Sequence, residues 1–136
     1  MGIAAARAWL KSRAETIPGI RAYPEPGQAF THPCIIFDWS SGAPPAADYR
    51  QPGASAKWGL KAYLLITGGD AKGGYTSLDK YLDTTGQWSV KAALEGNRNN
   101  TTFDVNVISC DEAGAVVYQG GKYYGASFSI EVYSQE

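Results

Sequence analysis

Apolar residues recur three and four apart from the start of the chain: Ile3, Ala6, Leu10, Ala14 and Ile17. That spacing puts them on one stripe and predicts a helix over the first 17 residues, stopped by Pro18-Gly19. The period then shortens. Ile20–Tyr23 reads as a short strand closed by Pro24-Glu25-Pro26-Gly27. Cys34–Trp39 is a nearly unbroken apolar run, the pattern of a strand buried on both faces. Lys57–Thr67 alternates strictly. Trp58, Leu60, Ala62, Leu64 and Ile66 fall on one face, with Lys57, Gly59, Lys61, Tyr63, Leu65 and Thr67 on the other.

Helical spacing returns near Tyr75–Asp83, where Tyr75, Leu78 and Leu82 share a face and Thr84-Thr85-Gly86 ends the element. Ser89 has the position of an N-cap for a short helix over Val90–Leu94. Alternation resumes at Phe103, Val105 and Val107, and Asp111-Glu112-Ala113-Gly114 reads as a turn. Ala115–Gln119 and Lys122–Tyr133 flank Gly120-Gly121, a two-residue link suited to a tight hairpin. In the last strand Tyr124, Ala126, Phe128, Ile130 and Val132 face one way; Tyr123, Ser127, Ser129, Glu131 and Tyr133 face the other. The order α-β-β-β-α-α-β-β-β predicts a single α+β domain over residues 1–136. Its mixed, mostly antiparallel sheet should carry the N-terminal helix and two central helices on one face.

Between the second and third strands lies a long exception. Residues 40–56 hold three prolines and two glycines with no periodicity, longer than most connections. Such a loop cannot repay its ordering entropy alone, yet it carries Tyr49 and Arg50, residue types favoured at interface hot spots. We expect it to be a partner-contact arm, ordered only on assembly.

Charge narrows the classes. Twelve Lys and Arg against 13 Asp and Glu leave a net charge of −1, which argues against a general nucleic-acid or anionic-membrane binder. No apolar run is long enough to span a bilayer, and no secretory signal is recognisable at the start. Two cysteines, Cys34 and Cys110, are too few for a disulfide framework or a Cys-only zinc site, and suggest a reducing cytosol.

Candidate chemistry is sparse. His32 is the only histidine, two residues from Cys34, but neighbours on a strand splay side by side and Pro33 disrupts regular pairing. Thr67–Gly74 is a Gly-rich bridge where a phosphate loop would sit, yet it lacks the closing Lys-Ser or Lys-Thr. Asp79 and Asp83 lie one helical turn apart with no further ligand spaced to join them. We therefore expect no catalytic residue, no metal and no cofactor. Trp58, Lys61, Tyr63, Lys122 and Tyr123 could stack single-stranded nucleic acid, but the bulk charge favours a protein interface. The candidate interface residues are Tyr49, Arg50, Lys61, Tyr63, Tyr123 and Tyr133.

Several segments together resemble a known family. They are Ile17-Pro-Gly-Ile-Arg-Ala-Tyr23 after the helix, His32-Pro-Cys-Ile-Ile36, and Leu78-Asp-Lys-Tyr-Leu82 with Gly86-Gln-Trp-Ser-Val-Lys-Ala-Ala-Leu-Glu95. The last is Gly121-Lys-Tyr-Tyr-Gly-Ala-Ser-Phe-Ser-Ile-Glu-Val-Tyr133. In this order they resemble the tail terminator proteins of long-tailed, siphovirus-type bacteriophages, also described as minor tail or head-to-tail connector proteins. Gly68-Gly69 and the longer Pro-rich loop depart from that pattern. The resemblance implies an α+β virion subunit, assembled in the host cytoplasm into a homohexameric ring. The ring would cap the major tail tube protein and meet a head-side connector or stopper protein. DNA would pass through its lumen without specific binding, and no membrane would be involved. Two other readings stay open here: a neck or head-completion protein of the same phage class, or a small ligand-binding or enzymatic domain using the Gly68–Gly74 bridge.

Overall fold

The computed structural model describes residues 3–23, 33–40, 46–48, 56–68, 75–95 and 103–134. In chain order the elements are α1 (Ile3–Ala14), β1 (Arg21–Tyr23), β2 (Cys34–Trp39), β3 (Ala47–Asp48) and β4 (Ala56–Gly68). They continue with α2 (Tyr75–Leu82), α3 (Val90–Glu95), β5 (Phe103–Tyr118) and β6 (Gly121–Ser134). The fold is α+β. One sheet runs β1-β2-β4-β6-β5, with β3 also on β4. β1 pairs with β2 in parallel, and the other pairings are antiparallel.

The alternating strands sort their side chains as their period requires. Leu60, Ala62 and Leu64 of β4 join Tyr124, Ala126, Phe128, Ile130 and Val132 of β6 in one buried cluster. Ala6, Leu10 and Ala14 of α1, Leu78 and Tyr81 of α2, and Val90, Ala93 and Leu94 of α3 belong to the same cluster, so all three helices pack on one face. Each large apolar side chain buried there contributes roughly 1.5–3 kcal/mol. The N-cap forms as its sequence signals: Ser89 Oγ accepts the Ala92 N–H at 3.0 Å, and its hydroxyl donates to the Asp83 carbonyl. Asp79 and Asp83 are both exposed.

Four expectations need correction. Helix α1 ends at Ala14, not Ile17; the next residues close as turns through Thr16 N–H to Arg13 C=O and Ile17 N–H to Ala14 C=O. The long loop is not structureless throughout. Ala47 and Asp48 pair with Trp58 and Lys57, and Ser40 and Ala46 bond the Gly59 backbone on either side. Tyr49 and Arg50 lie outside the described residues, as do His32 and residues 69–74.

The expected turn at Asp111–Gly114 does not reverse the chain. β5 runs through it as one 16-residue strand and absorbs the extra residues as irregularities between Val107 and Ser109 and between Cys110 and Glu112. The hairpin turn is Gln119-Gly120, one residue earlier than expected. Both take positive φ, 50° and 81°, which suits the right-handed twist of the flanking strands.

The β5–β6 ribbon curls. Tyr63 is level with Ser127 of β6, and Tyr118 is level with Gly121. Six residues of flat strand would separate them by roughly 20 Å. Their ring centroids are 5.1 Å apart. The bend is centred near the facing pair Gly114–Gly125. It lays Val116 and Tyr118 on Cys34, Ile36 and Leu65, which covers part of the second sheet face.

Candidate interaction face

The second face has two zones. The apolar zone is the cluster Cys34, Ile36, Leu65, Val116 and Tyr118, with Tyr23, Tyr63 and Tyr123 packed at its border. Burial raises the Tyr63 phenol, as do the Asp38 and Glu112 charges; burial first, then Asp38, does the same for Tyr118. Both phenols keep their protons at neutral pH; Tyr118 is buried with its hydroxyl, whereas the half-buried Tyr63 stands at the border of the apolar zone, where a ring with a polar tip suits an interface.

The polar zone lies toward the other end of β4 and β6. Lys57 Nζ stands 3.2 Å from Glu131 and 5.7 Å from the Tyr133 ring centroid, and the Tyr133 hydroxyl donates to Glu131 at 3.1 Å. Next along the strands, Asp111 accepts the hydroxyls of Ser109 and Ser129 and lies 4.0 Å from Lys61 Nζ. The irregularity in β5 turns Asp111 toward these partners. Burial works to raise its carboxyl, but the Ser129 and Ser109 hydrogen bonds and the Lys61 charge outweigh it. The group titrates below its ordinary value.

A carboxyl lowered by folding binds fewer protons folded than unfolded. Its stabilisation is whole above the unfolded value, near 4, and drains as pH falls through the lower folded value. Urea midpoints should therefore fall on acidification below about pH 4 more steeply in the wild type than in Asp111→Asn. Equal slopes in the two proteins would contradict the assignment.

Lys61, Tyr63, Tyr123 and Tyr133 all fall on this face, but in two places. Tyr63 and Tyr123 border the apolar zone, whereas Tyr133 belongs with Lys57 and Glu131 at the far end, and Lys61 lies between. Tyr118 and Asp111 were not foreseen, because their placement depends on the curl and the strand irregularities. Cys34 is fully buried, and burial pushes its thiol up to about 12, so it stays protonated and inert. No cluster of three or more His, Cys, Asp or Glu suited to a metal exists among the described residues, and none of their helices is long and apolar enough to cross a membrane.

The two outer strands of the sheet are guarded alike. At β1 the Ala22 N–H donates to Glu15 at 3.3 Å, and Glu15 pairs with Lys11 one helical turn back. At β5 the Val107 N–H donates to Glu95 at 2.8 Å, and Glu95 pairs with Lys91 in the same i, i+4 relation. Each carboxylate occupies a donor that a foreign strand would otherwise take. The Lys-x-x-x-Glu spacing was visible in both helices; that its glutamates reach the sheet edges was not.

Compared with protein families and with curated proteins, the chain matches neither a family nor an individual sequence. What the arrangement offers is a partly guarded sheet, a tyrosine-bordered face and no evident reacting group among the described residues.

Proposed function

We propose that this chain is a structural subunit of a phage tail, forming the ring that ends the tail tube and joins it to the head-side connector. The observation that carries the reading is the outer strand β5. It is 16 residues long and bears the two most exposed large aliphatic side chains among the described residues, Ile108 at 46% and Val117 at 61%. Apolar side chains exposed along so long an outer strand suit burial against a neighbouring subunit, as the repeated contact of a ring requires. The segments that resemble tail terminators supply the assignment to a tail. DNA passes through the lumen without being gripped, so an isolated ring has only weak, salt-sensitive affinity for duplex DNA.

The test is assembly of tail-tube protein with and without this chain, followed by electron microscopy. Tubes of set length with the chain at one end are expected, against uncontrolled growth in its absence. Tubes of the same length in both samples would refute the reading. In the same assay, replacing residues 49–54 by a short Gly-Ser link, which leaves Ala47 and Asp48 on β4, should leave folding intact and reduce joining about tenfold or more if the loop is a partner-contact arm. Unchanged joining would make it a spacer.

A further inference from the structure

We propose that the middle of β5, around Ile108–Glu112, docks head to tail on the α1–β1 edge of a second copy of this chain. The inference rests on the ring reading for the closure of the assembly, not for the surfaces themselves.

Charge separates the two edges. β5 contains Asp104, Asp111 and Glu112 and no Lys or Arg. From Ile3 to Tyr23 the chain contains Arg7, Lys11, Arg13 and Arg21 against Glu15 alone. Some of these charges are already used inside the subunit: Arg7 over the Trp39 ring, Arg13 on the Ala93 carbonyl, and Asp111 in its serine cluster. Lys11 is likewise held by Glu15; Arg21 lines a cleft of about 430 Å³ together with that pair, Ala22 and Tyr23. Glu112 and Ile108 remain exposed on β5.

Register makes these edges complementary between copies. Tyr23, Ile36, Tyr63, Ser127 and Glu112 form one row across the sheet. Its ends are four strand spacings apart, roughly 19 Å, so Glu112 does not reach the cleft of its own subunit across the sheet. A neighbour added along the row brings its Glu112 to the Arg21–Tyr23 edge. The contact joins two different surfaces, so it repeats from copy to copy and closes as a ring when the rotation allows. The aliphatic Ile108 supplies apolar area, and the acidic and basic edges set orientation and exclude like-with-like pairing.

Sedimentation of the full chain tests this. Arg21→Glu and Glu112→Arg should each weaken self-association at least tenfold without changing the circular dichroism spectrum, and the double variant should recover most of it. Oxidising Tyr23→Cys/Glu112→Cys in a Cys110→Ala background should give a covalent ladder of several copies, because Tyr23 and Glu112 end the same row. A mixture of Tyr23→Cys/Cys110→Ala with Glu112→Cys/Cys110→Ala should give pairs only. Single variants that associate normally, a double variant no better than the singles, or Glu112→Cys/Cys110→Ala chains that cross-link only with themselves would overturn the proposal. So would a wild-type chain that stays monomeric up to about 1 mM, the range of the weakest specific contacts. That last result leaves the ring reading standing if micrographs still place the chain at the tube end. Head-to-tail association without the chain in tails would instead defeat the ring reading and keep the surfaces.

Discussion

Gly125→Ala should be severely destabilising for a change of one methyl group, costing about 3 kcal/mol or more. Gly125 lies in β6, level with Leu65 of β4 and Gly114 of β5. A Cβ added there would enter the van der Waals shell of the Leu64 carbonyl oxygen and come within 2.8 Å of the carbonyl carbon. Those atoms are backbone in the middle of the β4–β6 ladder, so no rotamer change relieves the clash and the strands must part. Gly114→Ala is the informative comparison. Its Cβ would meet nothing within 4 Å, but its φ of +98° is one that L side chains rarely adopt. That conformational penalty is about 1–2 kcal/mol. Urea denaturation should show a much lower midpoint for Gly125→Ala than for Gly114→Ala. The ordering carries structural content, because only the first substitution opposes the close approach behind the curl. Equal midpoints would mean that the ribbon does not approach β4 as described.

Truncating β2 should be costly on both of its faces. Phe37 lies under the helices and Ile36 under the curled hairpin, each 1% exposed. Phe37→Ala should cost about 3–5 kcal/mol and Ile36→Ala about 2–5 kcal/mol. In a sheet with one wet face the second value would be far smaller. The pair of measurements therefore reports whether the ribbon covers the second face in solution. A loss below about 1 kcal/mol for Ile36→Ala, with a full loss for Phe37→Ala, would place the hairpin away from β2.

The strictly alternating segments were legible from the chain alone. A period of two commits every second side chain of β4 and β6 to one face, whatever their neighbours, so the helix-side cluster and the shared face of Lys61, Tyr63, Tyr123 and Tyr133 follow from the order of residues. The unbroken apolar run of β2 signalled burial on both faces, and Ser89 signalled its own helix start through a hydrogen bond three residues away. These are short-range effects, complete within a few residues of chain.

What the tertiary structure alone decided depends on partners distant in sequence. Asp111–Gly114 has the composition of a turn, but turn preference is modest. Pairing with β6 across Ser129–Gly125 holds the segment in the ladder and turns the surplus residues into irregularities. The same long-range pairing sets the parallel match of β1 with β2, draws Ala47–Asp48 onto β4, and brings Tyr118 onto Tyr63. Glu15 and Glu95 could be read locally only as ion-pair partners of Lys11 and Lys91. Their second role, closing the Ala22 and Val107 donors, exists only once helices and sheet edges have been packed together, because a buried or edge N–H selects whichever acceptor the fold delivers to it.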